Sequence, residues 1–83
     1  AGSRGGYNRI RIIELLKERP HNINQLSDAL GLEYKGVQHH ISMLEKNNLV
    51  TRFGEKYGIL YFISDYLEKN MESYKEIRSK IAS

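Results

Sequence analysis

Five polar residues in the middle of the chain, Lys35, Gln38, His39, Ser42 and Lys46, recur at spacings that would gather them within about 100° of arc on an α-helix. Opposite them fall Val37, Ile41 and Leu44. Such a face offers hydrogen-bond donors and a two-way amide: Lys suits guanine, Gln suits adenine, and Ser or His suits either. One helix fits a duplex major groove. An ordinary solvated face would mix Glu with Lys, whereas here only Glu45 lies near the edge. The chemistry implied is base reading rather than catalysis.

Other reactive side chains make weaker sets. His39 and His40 are adjacent, so on a helix they point about 100° apart and cannot chelate one metal as an i, i+4 pair would. His40 falls on the apolar side and is expected to be half-buried and hydrogen-bonded, while His21 follows Pro20 in a turn without an evident partner. No Ser/His/Asp order, Gly-rich phosphate loop or paired carboxylates occur. An enzyme is therefore not expected, and neither a metal nor a cofactor.

Positioning that face requires a scaffold. Residues 9–19 carry Ile10, Ile12, Ile13, Leu15 and Leu16 before Pro20 stops the helix. These cover an arc of about 220°, more than the roughly 100° one core face needs. The surplus implies a second buried contact, either a partner subunit or wrapping by neighbouring elements. Asn22 with Gln25, or Asn24, caps a short helix containing Leu26, Ala29 and Leu30, which Gly31 ends. The donor-bearing helix, 34–47, starts within about three residues, so the pair reads as a helix-turn-helix. Gly36 inside it costs roughly 0.5 to 1 kcal/mol relative to Ala and implies a close approach, either by the preceding helix or by a phosphate backbone.

Residues 49–53 and 57–63 then read as two strands of a β-hairpin, with both faces of the second strand partly covered. Its tip, Gly54-Glu55-Lys56 with Arg52 before and Tyr57 after, puts Arg52 and Lys56 within reach of a phosphate backbone. Ser64 or Asp65 caps a last helix whose apolar residues Tyr66, Leu67, Met71, Tyr74, Ile77 and Ile81 form one stripe. Asn70 and Arg78 interrupt that stripe. Polar residues there can fix register between paired helices, which favours a dimer seam over a helix folded back on its own domain.

The chain has 83 residues, 40% hydrophobic and 28% charged, which describes one small domain. No apolar run approaches the roughly 20 residues of a membrane span. Zero cysteines exclude disulfides and thiolate metal sites, and a reducing, cytoplasmic compartment is expected. Residues 1–6 read as an expression remnant and as disordered. The formal charge is +3, of which Arg4 supplies one. Residues 9–33 carry four basic and four acidic side chains and residues 65–83 likewise, so the remaining excess lies in 34–64. A polyanion would meet that segment.

Four stretches, Ile10-Arg-Ile-Ile-Glu-Leu-Leu, Ile23-Asn-Gln-Leu-Ser-Asp-Ala-Leu-Gly-Leu, Val37-Gln-His-His-Ile-Ser-Met-Leu-Glu-Lys-Asn-Asn-Leu-Val and Tyr57-Gly-Ile-Leu-Tyr-Phe-Ile-Ser, carry a family likeness. In this order the sequence resembles the winged helix-turn-helix regulators of the arsenical-repressor (ArsR-type) group, especially their short archaeal relatives. The resemblance implies that Lys35, Gln38 and His39 face bases or nearby phosphates, that Tyr34 opens the helix near the backbone, and that Arg52 and Lys56 belong to the wing. It also implies a homodimer through the first and last helices. Glu33 stands where the group often has a Ser cap, and Gly36 replaces a usual Thr or Ser. Residues 67–81 lack the cysteines or histidines of metal-sensing members.

The expected architecture is mainly α with a small β-hairpin: a winged helix-turn-helix over 7–64 and an amphipathic dimerisation helix over 65–83. The expected function is a homodimeric, sequence-specific, double-stranded DNA-binding transcription regulator. DNA contacts are assigned to Tyr34, Lys35, Gln38, His39, Ser42, Lys46, Arg52 and Lys56, and dimerisation to Ile12, Leu15, Leu67, Met71, Tyr74 and Ile81. The alternatives are an architectural, chromatin-type DNA-binding protein and a winged-helix module that docks on another protein.

Overall fold

The computed structural model describes residues 4–56 and 58–82, with 4, 81 and 82 by backbone alone. Three helices come first: α1 (Arg4–Glu18), α2 (Ile23–Leu30) and α3 (Tyr34–Lys46). A two-stranded antiparallel hairpin follows, β1 (Val50–Phe53) and β2 (Leu60–Ile63), and then α4 (Asp65–Lys69) and α5 (Met71–Ala82). This is the mainly helical, winged helix-turn-helix architecture expected from the sequence. Helix α1 begins at Arg4, so residues 4–6, set aside above as a disordered remnant, form its first turn.

Local chemistry explains most boundaries. Asn22 and Gln25 form a reciprocal capping box, Gln25 N–H donating to Asn22 Oδ1 at 2.7 Å and Asn22 N–H to Gln25 Oε1 at 2.8 Å. Gly31 closes α2 at φ +67°, a left-handed conformation that costs glycine little. The turn after α3 holds Asn48 at φ +58°. There Asn48 N–H bonds to Glu45 O and Leu49 N–H to Leu44 O, both at 2.9 Å, which turns the chain directly into β1.

In the hairpin Val50 pairs with Ile63 and Phe53 with Leu60. A third edge joins it. His21 and Tyr61 exchange backbone hydrogen bonds, His21 N–H to Tyr61 O at 3.1 Å and Tyr61 N–H to His21 O at 2.8 Å. His21 is thus not the partnerless turn residue expected but a buried bridge, its Nδ1 2.8 Å from Arg19 O. Pro20 forces the chain out of α1 in an extended conformation, and that conformation lets the next residue pair with β2.

The hydrophobic core joins Ile12, Ile13 and Leu16 of α1 to Ile23, Leu26, Val37, Ile41, Leu44, Val50, Tyr61, Leu67 and Tyr74. Helix α1 is central, packing against α2, α3, β2 and α5. Its broad apolar arc is therefore explained largely by wrapping within one chain.

The last helix is two helices. Ser64 caps α4, accepting from Leu67 N–H at 3.0 Å, and Asn70 ends it, its side chain donating to Tyr66 O at 2.8 Å. Asn70 thus interrupts the apolar stripe as a local terminator, because its amide satisfies a carbonyl that the helix end leaves open. Arg78, the other interruption, is bound to Glu14 of α1 at 3.0 Å. Neither needs a second chain to explain it.

Candidate nucleic-acid interface

Helix α3 turns Val37, Ile41 and Leu44 into the core and leaves Lys35, Gln38, His39, Ser42 and Lys46 exposed. The 3.6-residue period makes one division follow from the other. Tyr34 stands at the first turn, 46% exposed. Because β1 follows α3 so tightly, the hairpin lies beside this face and a half-open cleft of about 360 Å³ separates them.

Tyr34, Gln38, Ser42, Arg52 and Lys56 come together on the walls of that cleft. Buried Ile23, Ile41 and Tyr61 also line it, with Asn22 and Asn24 arriving from the start of α2. None of its described lining residues is acidic. Lys35, His39 and Lys46 are exposed but lie further round α3, outside the cleft. Tyr57 lies outside the described residues. Apolar depth with two cations and several neutral donors is a composition that can take a sugar-phosphate backbone, while the outer face of α3 stays free for base edges.

Asn22, Asn24 and Tyr61 were not anticipated at this site. The capping pattern around Asn22 and Asn24 was legible as a helix start, but only the packing of α2 beside the wing turns that start towards the cleft.

Two contacts fix the site to its scaffold. Arg52 donates from Nε to Glu45 Oε2 at 2.8 Å and from Nη2 to Glu45 Oε1 at 3.0 Å. Its Cζ lies 5.6 Å from the centre of the Tyr61 ring. The hydrogen bonds to Glu45, with the charges of Tyr61 and Glu45, hold the Arg52 guanidinium more firmly protonated than usual. Burial pushes the Tyr61 phenol up, against the Arg52 charge. On the other side of α3, Arg9 Nε donates to His40 Nδ1 at 3.3 Å, so His40 is half-buried and hydrogen-bonded as expected. Burial and then the Arg9 and His39 charges push the His40 imidazole down, which favours the neutral acceptor that Arg9 needs. Among the described residues no three ligating groups gather to hold a metal.

The residues assigned to dimerisation divide. Ile12 is 0% exposed and Leu67 3%. Both belong to this chain's own core, as does Tyr74, because α1 is enclosed by four neighbours, α5 among them, and Leu67 of α4 joins the same cluster. Enclosure within one chain places Ile12 and Leu67 in the core, while Tyr74 also lines the groove beside α5. Leu15 and Met71 are half-buried, and the Ile81 side chain lies outside the described residues. The apolar surface left open between α1 and α5 is a groove of about 250 Å³ lined by Ile10, Met43, Leu49 and Ile77, among others, with Ile77 57% exposed.

A family model described as "Bacterial regulatory protein, arsR family" matches residues 7–52, more than half of the chain and the whole helix-turn-helix. The chain belongs to the ArsR family. This family and fold are those of DNA-binding transcription regulators. Among solved structures, the reduced form of HlyU from Vibrio cholerae is 25% identical with a TM-score of 0.69, covering 77% of this chain and 67% of that one. Rv0081 of M. tuberculosis is 22% identical with a TM-score of 0.71, over 90% and 77% of the two chains. The homodimeric winged helix-turn-helix DNA-binding domain of Mb0332 from Mycobacterium bovis is 16% identical with a TM-score of 0.73, over 88% and 68%. The last two show that the ArsR chain shares their fold. All three are bacterial, so the archaeal likeness is not shown by them. No curated protein matches the sequence.

Proposed function

We propose that this ArsR-family chain is a sequence-specific, double-stranded DNA-binding transcription regulator that works as a homodimer in the cytoplasm. The observation that carries the reading is the acid-free cleft between the exposed donor face of α3 and the wing, with Arg52 and Lys56 on its walls. In this reading Lys35, Gln38, His39, Ser42 and Lys46 meet base edges or nearby phosphates in the major groove, and Tyr34, Arg52 and Lys56 meet the backbone. Residues 7–64 form the reading unit. Residues 65–83 join α1 in the dimer seam.

The homodimer is supported by the open apolar groove between α1 and α5, and by the homodimeric state named for the Mb0332 domain. The seam then falls on Ile10 and Ile77 with Leu15 and Met71, rather than on Ile12 and Leu67. Two-fold symmetry would place the two α3 helices in successive major grooves, with half-sites about 34 Å apart. No described helix is long and apolar enough to cross a membrane.

Selection of duplexes from a random pool at near-physiological salt, followed by sequencing of what is retained, tests the reading. An enriched inverted repeat supports a dimeric sequence reader. Retention without enrichment would make the protein a DNA-coating one, and no retention even at low salt would move it to docking on another protein.

A further inference from the structure

Glu45 is the one acid in α3, and on charge alone it should repel a polyanion lying along that helix. Its placement argues otherwise. Arg52 lines the cleft and Glu45 does not, so the carboxylate sits behind the guanidinium. Their side-chain exposures agree, 52% for Arg52 against 23% for Glu45. The pair is fork on fork, with Nε and Nη2 each bonded to one carboxylate oxygen. A guanidinium has five N–H donors in a rigid plane, so this pairing leaves the outer edge, formed by Nη1 and the second hydrogen of Nη2, unspent. Among the described residues Arg52 donates no other hydrogen bond. Tyr61, on the neighbouring strand, lies 5.6 Å from the same guanidinium.

We propose that Glu45 is a positioning residue: it clamps Arg52 to the last turn of the recognition helix so that the outer guanidinium edge presents two parallel donors to a phosphodiester of one DNA strand lying in the α3–wing cleft. The inference rests on the DNA-binding reading above and adds a division of labour within it. A free arginine on an exposed strand spends rotamer entropy on each contact, whereas one already forked to a carboxylate loses less when the phosphate arrives. The same clamp fixes the wing to α3, since Glu45 and Arg52 stand on either side of the tight turn at Asn48. Backbone grip and base reading are then held in one register.

The sign of the effect makes the test sharp. Removing a carboxylate beside a polyanion should tighten binding by simple electrostatics; removing a clamp should weaken it. Wild type, Glu45→Gln, Arg52→Gln, Arg52→Lys and the double variant Glu45→Gln/Arg52→Gln are titrated onto one duplex over a salt series, with thermal melts alongside. Glu45→Gln is expected to weaken binding about ten-fold at near-physiological salt, the scale of a charge-assisted hydrogen bond. In the Arg52→Gln background the same change should no longer weaken binding. Arg52→Lys, which keeps the charge and loses the fork, should bind about as poorly as Arg52→Gln. Equal or tighter binding by Glu45→Gln overturns the proposal, as does wild-type affinity in Arg52→Lys, a surface change that keeps the test open if Glu45→Gln melts early. Failure of the wild type to bind any duplex at low salt would instead overturn the DNA-binding reading itself.

Discussion

Tyr74 of α5 donates its phenolic hydrogen bond to Glu14 Oε2 of α1 at 2.5 Å, across 60 residues of sequence. The same oxygen accepts from Arg78 Nη1 at 3.0 Å and lies 3.5 Å from Lys17 Nζ. One carboxylate therefore ties the first helix to the last, at the edge of the core that Tyr74 helps to fill.

That arrangement sets a pH dependence. Burial tends to raise the Glu14 carboxyl, but hydrogen bonds from Tyr74 and Arg78, with the charges of Lys17 and Arg78, outweigh it and hold it below its ordinary value of 4.5. A depressed folded value means that the stabilisation is present above the unfolded value and is lost as pH falls through the folded one. Acid titration followed by circular dichroism should show the wild type losing stability below about pH 4.5, with a shallower loss in Glu14→Gln. Tyr74→Phe should cost about 1 kcal/mol at neutral pH, because it removes one of several partners from a partly solvated carboxylate.

Ile12→Ala should lower stability by about 2 to 5 kcal/mol in urea denaturation, since it opens a cavity in a core where Ile12 is fully enclosed. A loss under about 1 kcal/mol would return Ile12 to a surface role.

Two glycines should respond in opposite ways. A Cβ at Gly36 would meet nothing within 4 Å. Close packing of the preceding helix therefore does not explain this glycine, and Gly36→Ala should stabilise α3 by about 0.5 to 1 kcal/mol in a thermal melt. At Gly54, φ is +107° and a Cβ would stand 2.2 Å from Gly58 O. Gly54→Ala should distort the wing and weaken duplex binding while the helical content by circular dichroism is kept.

Gln38 and Lys56 separate base reading from backbone grip. Gln38→Ala should cost roughly 1 to 3 kcal/mol at one base pair and relax preference there, measured against a panel of single-base variants of the selected site. Lys56→Ala should weaken every duplex alike and lower the salt slope by about 0.9. Equal losses on all sequences for Gln38→Ala would remove its reading role.

Much of the scaffold was legible along the chain. Asn22, Gln25 and Gly31 announce the limits of α2 because capping is decided by residues within one turn of each other. The division of α3 into Val37, Ile41 and Leu44 against Lys35, Gln38, His39, Ser42 and Lys46 follows from its period alone. Asn70 was harder to read. Inside an apolar stripe it fits a register-setting polar residue as well as a helix terminator, and only the break between α4 and α5 separates the two. Ile12 and Leu67 were assigned to a seam for a related reason: hydropathy records that a side chain is buried, not against which surface.

By itself the sequence determined the order of elements through the hairpin, the exposed donor face of α3 and the concentration of positive charge in the middle third, since periodicity, capping and net charge are properties of neighbours in the chain. Tertiary structure alone decided that His21 joins the sheet through Tyr61, that Glu14 gathers Tyr74 and Arg78, and that Glu45 stands behind Arg52 instead of facing the cleft. Each of these joins groups from different elements. Their distances depend on how helices and strands pack, and the local preferences of the individual residues do not encode that packing.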